Sequence, residues 1–440
     1  MGFLRVFSFA MSANVIAFVL SFINNKIIYI YLINKSDIGL YFLLMRLTLL
    51  VALFCGDWIR LSTMNLAGRD KSTIPVLSAN GFWYCGALGL ILTSIFLLVS
   101  LFYKNAFFFI PLTYWFVVII AGVALVGRNL WQSLLLVNRN MVSYGLTIAI
   151  WVGIFLVLDV FFLVILKYGI NFVITALVVA SIASAIWAFG SSMKLNGHLF
   201  RFSWNLFGES AKIGLRAWVA VVGMFIMINI HAFALQPLAG NTEEGLVMVA
   251  LFSICFRVFL LFQRGSDVAG TVLYSHVIQQ DKITSAKMTV MMTRGIISVS
   301  LVFSMICALV GKSLIVIIAN STYITAYYPL LIMLPGILII NTGSIINSYY
   351  WGRDYPLRII FAPYAAAMVG LILNIVLIPR YGVSGATLSF SMMSLIWLIY
   401  QIALFKKDSG LSAQDVLVPR YTDMLYMISR IRQVLSGGVR

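Results

Sequence analysis

The chain has 440 residues, 62% of them hydrophobic and only 10% charged, with a formal net charge of +17 and a mean hydropathy of +1.03. Soluble domains carry about 25% charged residues, and no soluble fold of this size hides so much apolar surface. The apolar runs continue for 20 or more residues without the period-2 alternation of a β-barrel. The expected class is all-α: a polytopic membrane protein of about twelve transmembrane helices.

The first run, 8–33, is too long for a signal-peptide core and no small-residue cleavage site follows it, so it is expected to be retained. It carries Lys26. The second, 37–63, holds Arg46, Asp57 and Arg60. Spans three to six fall at 77–102, 107–137, 141–166 and 169–194, with Arg128 in the fourth and Asp159 in the fifth. Leu195 to Gly214 then contains HLFRFSWNLFGESAKIG, whose aromatics Phe200, Trp204 and Phe207 lie about one turn apart, the mark of an interfacial helix linking two halves. Span seven, 212–235, carries His231; span eight, 246–273, carries Arg257, Arg264 and Asp267. The last four spans fall at 291–318, 324–350, 358–379 and 382–405. Each reaches the ~20 residues that cross a ~30 Å hydrocarbon core at ~1.5 Å per residue. In the basic tail, Tyr421, Leu425, Ile428, Ile431 and Leu435 form one helical stripe with Arg430 opposite, expected to lie on the inner leaflet.

Loop charges set the orientation. With a cytoplasmic N-terminus, the inner segments carry Arg5, Arg69, Lys71, Arg139, Lys194, Arg201, Lys212, Lys282, Lys287, Arg353, Arg358, Lys406 and Lys407, plus the tail. The outer segments carry only Lys35, Lys104, Lys167, Lys312 and Arg380, beside Glu243 and Glu244. By the positive-inside rule both termini are cytoplasmic. This placement accounts for most of the positive charge, so no nucleic-acid partner is expected.

Two spans repeat one charge pattern: Arg46 with Asp57, and Arg257 with Asp267. Matching RLTLL to RVFLL brings the acids within one residue of each other. A charge near the centre of a lone lipid-facing helix costs roughly 2.5–3.5 kcal/mol. The simplest account is two related halves enclosing a polar, positively charged cavity. Arg46 and Arg257 lie ~14–17 Å below the outer boundary, with Arg128 and Arg264 deeper and Lys26 able to approach Arg46. Arginine stays charged and forks onto phosphate oxygens, so such a cavity suits an anion, a phosphate or pyrophosphate above all. Plainer readings stand beside this one. Lys26, Arg60 and Arg128 can snorkel to an interface, and Arg264 can pair with Asp267. Asp57, Asp159, Asp267 and His231 are the groups able to exchange a proton for coupling, or else to balance the arginines. Asn341, Thr342, Ser344, Asn347, Tyr349, Tyr350 and Trp351 in span ten suit sugar rings, or an ordinary interfacial belt. The four cysteines (Cys55, Cys85, Cys255, Cys307) lie apart in apolar spans and the three histidines are scattered, so no disulfide framework, metal site or cofactor is expected. Catalytic motifs are missing, and an enzyme is not expected.

LNIVLIPRYGVSGATLSF from Leu373, SDIGLY from Ser36 and FSWNLFGESAKIGLRAW from Phe202 resemble segments of the polysaccharide-type, Wzx-like flippases of the multidrug/oligosaccharidyl-lipid/polysaccharide (MOP) exporter superfamily. The resemblance covers residues 1–405. Span eight departs from it, reading Gly245-Leu246-Val247 where the family repeats a tyrosine. The resemblance implies two six-helix lobes, 1–194 and 215–405, joined by the 195–214 linker and followed by the 406–440 tail, around a central cavity. It implies a polyprenyl-pyrophosphate-linked oligosaccharide moved from the cytoplasmic to the outer face of a bacterial inner membrane, for O-antigen or another surface polysaccharide. An ion gradient would drive alternating access, and polysaccharide polymerase machinery and membrane lipids would be partners. The rivals are a cation-coupled multidrug antiporter of the same superfamily, a flippase for the peptidoglycan lipid precursor, and an O-antigen polymerase.

Overall fold

The computed structural model describes residues 3–32, 34–102, 111–138, 140–196, 201–239, 242–353 and 356–419. They form α1 (Phe3–Tyr31), α2 (Lys35–Arg69), α3 (Ile74–Phe102), α4 (Leu112–Val137), α5 (Met141–Asp159), α6 (Ile170–Asn196), α7 (Trp204–Leu238), α8 (Thr242–Gln279), α9 (Lys282–Ile318), α10 (Tyr327–Trp351), α11 (Leu357–Ser409) and α12 (Ala413–Leu417), with no strand among the described residues. Ten of the helical stretches are long and apolar enough to cross a membrane. α1 adds 29 residues. α11, at 53 residues, would be ~80 Å long as one straight helix, far more than one bilayer needs.

α11 is two spans. At Gly382 the backbone leaves the helical region (φ 54, ψ −128), a conformation in which a Cβ is strained and glycine is not. Three residues on, a Cβ at Gly385 would meet the Leu377 carbonyl oxygen. The start of the second span therefore lies directly on the end of the first. Pro379, Gly382 and Gly385 of the PRYGVSG segment thus build a tight turn, and all twelve expected spans are accounted for.

Two boundaries differ from the sequence reading. From Trp204 the linker continues into span seven as one helix, α7, of 35 residues, while 197–200, with Phe200, lie outside the described residues. No proline interrupts 204–236, and Gly208 and Gly214 are too isolated to break a helix already flanked by apolar turns. α9 begins at Lys282 instead of 291 because Asp281 caps it: its Oδ2 accepts from Ile283 N (3.0 Å) and Thr284 N (3.1 Å). The amphipathic stripe of the tail, Tyr421 to Leu435, lies outside the described residues. α12 precedes it, closed by a capping box between Ser412 and Asp415.

The chain divides into two compact units. The first comprises Met1–Phe225, Asn241–Ala250 and Ile318–Asn320; the second comprises Ile226–Gly240, Leu251–Ile317 and Ser321–Arg440. In the first, α4 is the hub, packed by α2, α3, α5 and α6, while α1 lies along α5. Without a hydrophobic drive between helices in lipid, close backbone approach at small residues takes its place: Gly122 lies against Val51 of α2, and Gly56 of α2 against Val126. The N-terminal half of α7 joins this unit through Trp218 Nε1, which donates to Phe54 O at 2.8 Å, and through Phe207, edge-on to Trp58 at 5.6 Å. In the second unit α10 packs along α11, which also carries α12. There the buried Arg294 of α9 ties α12 down, its Nε donating to Asp415 O at 2.6 Å.

Candidate functional site

Arg46 lies eleven residues into α2, ~16 Å along its axis. It is half-buried, and its guanidinium sits 4.9 Å over the Phe42 ring one turn earlier. A cation held over an aromatic face keeps its charge partly compensated without a carboxylate. Thr48, two residues on, is fully buried with no hydrogen-bond partner for its hydroxyl among the described residues. Asp57, lower on the same helix, is taken by Arg60 Nε at 2.7 Å.

Arg128 on α4 is anchored by donating Nε and Nη2 to Asn129 Oδ1 (3.2 and 2.9 Å). Its charge lies 5.0 Å over Trp151 of α5, and the Trp151 indole in turn reaches Ser181 of α6 at 3.3 Å. Two of the predicted cations of the first unit are therefore held by aromatic faces. Lys26 is half-buried on α1.

Two residues before Lys26, Asn24 makes the contact that the sequence did not reveal. Its Nδ2 donates to Oδ2 of Asp159 at 2.8 Å, both side chains being buried. Asp159 Oδ1 and Asn24 Oδ1 have no partner among the described residues. Immediately after Asp159, α5 loosens into a π-helical turn, Val160–Ile165, a feature concentrated at functional sites. An orphaned buried oxygen costs ~1–3 kcal/mol, so a pair of them beside a carboxylate is a place where a proton or cation binds favourably.

In the second unit Arg257 of α8 is half-buried between the fully buried Phe256, Val258 and Phe259, whereas Arg264 and Asp267 are exposed. The charge repeat seen in sequence therefore has unlike surroundings: Asp57 is buried and ion-paired, Asp267 is exposed. His231 on α7 is fully buried, with Nδ1 3.0 Å from Asn374 Oδ1 and Phe390 edge-on at 5.6 Å. The amide oxygen only accepts, so Nδ1 carries the proton. Nε2 and the Asn374 Nδ2 are left without partners among the described residues. Asn374 sits inside the very segment that carried the family resemblance.

The polar residues of span ten serve α10 itself. Asn341, Thr342 and Ser344 bond back to carbonyls four residues earlier at 2.7–2.9 Å. Asn347 receives the Gln401 amide at 3.5 Å, and Tyr350 donates to Asp408 at 3.0 Å. They knit α10 to α11.

At its outer end, by the loop-charge orientation, α2 meets the start of α8. A Cβ on Gly39, in the SDIGLY segment, would meet the Leu246 carbonyl. Leu246 is the residue after Gly245 in the segment that departs from the family pattern, so the two motif positions touch.

No family model matches the sequence, and no curated protein matches it. Solved structures do resemble the fold. An inward-facing multidrug resistance MATE family transporter of the MOP superfamily superposes with a TM-score of 0.67 at 12% identity, covering 89% of this chain and 96% of that one. The lipid II flippase MurJ in an inward closed conformation gives 0.68 at 14%, covering 91% and 90%. A MOP superfamily transporter from Pyrococcus furiosus, described as having a binding pocket of reverse polarity, gives 0.62 at 13%, covering 91% and 93%. At these identities the likeness establishes a shared fold, that of MOP superfamily transporters.

Proposed function

We propose that this protein, whose fold is that of MOP superfamily transporters, is a flippase for a polyprenyl-pyrophosphate-linked oligosaccharide, moving it from the cytoplasmic to the outer face of a bacterial inner membrane. The observation that carries the reading is a surplus of fixed positive charge at membrane depth. Arg46, Arg128 and Arg257, with Lys26 and Arg264, stand on α1, α2, α4 and α8, while the acids within the spans are Asp57, Asp159 and Asp267, and Asp57 is engaged by Arg60. A pyrophosphate cannot cross hydrocarbon unaided, and guanidinium groups replace its hydration with charge-assisted hydrogen bonds. The similarity to a MATE transporter and to MurJ is of equal strength and does not choose between substrates; the sign of the charge does.

In this reading Arg46 of the first unit and Arg257 of the second are each pyrophosphate-binding groups, and Arg128 and Lys26 extend the cationic surface in the first unit. Asp159 with Asn24, and His231 with Asn374, are the ion-coupling pairs, because each is buried and each keeps an unpartnered polar atom. The site alternates between the two membrane faces, and the product is passed on for surface polysaccharide assembly. The test is transport of a polyprenyl-pyrophosphate-linked sugar by reconstituted protein, with Arg46→Ala and Arg257→Ala expected to insert normally and transport poorly. Normal transport by both variants would remove the reading.

One observation favours a second reading, a cation-coupled multidrug antiporter: the buried Asp159 carboxylate, with one oxygen open, is a fitting partner for a lipophilic cation. Efflux of such a cation, abolished by Asp159→Asn and indifferent to Arg46→Ala, would select it.

A further inference from the structure

A cavity of about 330 Å³ opens between α3, α4 and α6 of the first unit; its lining is hydrocarbon. Phe82, Trp131 and Phe189 form the walls, with Phe189 stacked on Phe82 at 5.4 Å and tilted against Trp131 at 4.8 Å. Gly86 leaves open space beside them, with no heavy atom within 4 Å of a Cβ built there, while Trp131 packs onto Gly127. The Trp131 indole N–H is spent on Ser78 O at 3.3 Å, so the one polar side-chain group facing the cavity is the Cys85 thiol, a weak one. Phe82, Gly86 and Ile186 are exposed, which makes the cavity a groove reachable from the bilayer.

Its depth follows from Asn80, two residues before Phe82. Asn80 grips the segment leading into α7 through both amide atoms: Nδ2 donates to Ser203 O at 3.0 Å, and Oδ1 accepts from Ser203 N at 2.8 Å. By loop charge that segment is cytoplasmic, so the groove starts just above the inner headgroup level. Near its foot come the exposed Lys194, on α6, and the exposed Arg201, two residues before the Ser203 that Asn80 holds. Lys194 lies five residues beyond Phe189 on α6, ~7.5 Å along the axis. A hydrocarbon slot of this kind with a cationic rim one to two turns below it matches an anionic lipid that has its phosphate at the inner surface and its chain running upward.

We propose that this groove is a loading site for the substrate's polyprenyl chain, seating the first isoprene units while the pyrophosphate rests on the basic rim before it passes to the arginines. The inference rests on the flippase reading and adds a second, separate site to it. A methyl-branched chain packs on aromatic faces and fills the space beside Gly86, and the doubled phosphate charge favours it over bilayer lipids at the rim.

The test uses the full-length protein in lipid nanodiscs and two photoreactive probes: diazirine-tagged geranylgeranyl pyrophosphate and diazirine-tagged phosphatidylglycerol. Cross-linked peptides are mapped by mass spectrometry. The prenyl probe is expected to label 82–89, 123–131 and 182–189 in preference to the phospholipid probe. Gly86→Leu plugs the groove without a clash, since no heavy atom lies within 4 Å of a Cβ built there, and is expected to cut that labelling about tenfold; Gly86→Ala should leave it intact. Equal labelling by the two probes, or labelling unchanged in Gly86→Leu, overturns the proposal. The two readings fail separately. Transport of the pyrophosphate-linked sugar without groove labelling removes the groove alone, and groove labelling in a protein that moves no such sugar removes the flippase reading.

Discussion

A guanidinium at the depth of Arg46 is tolerated only if something replaces water around it. Here an aromatic face does part of that work, as Trp151 does for Arg128. A cation–π contact compensates part of the charge from the ring face. Arg46→Ala and Arg257→Ala should each lower transport about thirtyfold, from ~2 kcal/mol of lost charge-assisted hydrogen bonding, with unchanged insertion by protease accessibility. Arg→Lys keeps the charge and loses the fork, so an intermediate rate is expected, and a wild-type rate for Lys would show that charge alone matters. Asp159→Asn should leave substrate binding intact and make transport insensitive to an imposed ion gradient, measured in vesicles with and without that gradient. Retention of the full gradient response would exclude Asp159 as a coupling group. The arginines were legible in the sequence because a charge in an apolar run is conspicuous. Asn24 was not: a neutral amide carries no such signal, and its partner lies 135 residues away. Asn374 was hidden for the same reason, inside a segment whose glycines and proline drew attention to the turn.

Among the elements, the α11 turn and the α2–α8 contact explain in physical terms why two motifs look as they do. Gly382 holds a backbone conformation that costs a residue with a side chain on the order of 1–3 kcal/mol. Gly382→Val should therefore lower the thermal unfolding temperature in detergent, and Gly385→Leu should do so as well, by driving a side chain into the Leu377 carbonyl. Gly39→Leu should separate α2 from α8 at Leu246, read as increased reactivity of a cysteine placed at 246. The α9 cap offers a test by pH. The Thr284 hydroxyl and backbone N–H, with the Ile283 N–H, hold the Asp281 carboxyl below its ordinary value of 3.8. Its contribution is therefore complete above that value and is lost only as pH falls through the lowered one. At neutral pH Asp281→Ala should speed amide exchange over 282–286, while Asp281→Asn, which still accepts, should not. Span number and order were readable from hydropathy alone, because each crossing must satisfy its own backbone in lipid. The continuity of α7 and the early start of α9 were not, since both extend past the apolar window into turns where capping and contact with α2 and α3 decide.

For the whole molecule, the charge distribution separates into two parts with different tasks. In the proposed reading the loop cations set orientation, and the few cations within the spans set what can be bound. The fold is shared with a multidrug transporter and with a lipid II flippase, so architecture alone does not select a substrate; in the proposed reading the sign and chemistry of Arg46, Arg128 and Arg257 do. The measurement that tests this most directly is flipping in proteoliposomes. A fluorescent polyprenyl-pyrophosphate-linked oligosaccharide is placed in one leaflet, and its appearance in the other is followed by quenching under an imposed ion gradient. Gradient-dependent movement with the wild-type chain, lost in the Arg46→Ala, Arg257→Ala double variant at equal reconstitution, is the expected result. Movement at the wild-type rate by that double variant would contradict the account, as would export of a lipophilic cation in place of the pyrophosphate.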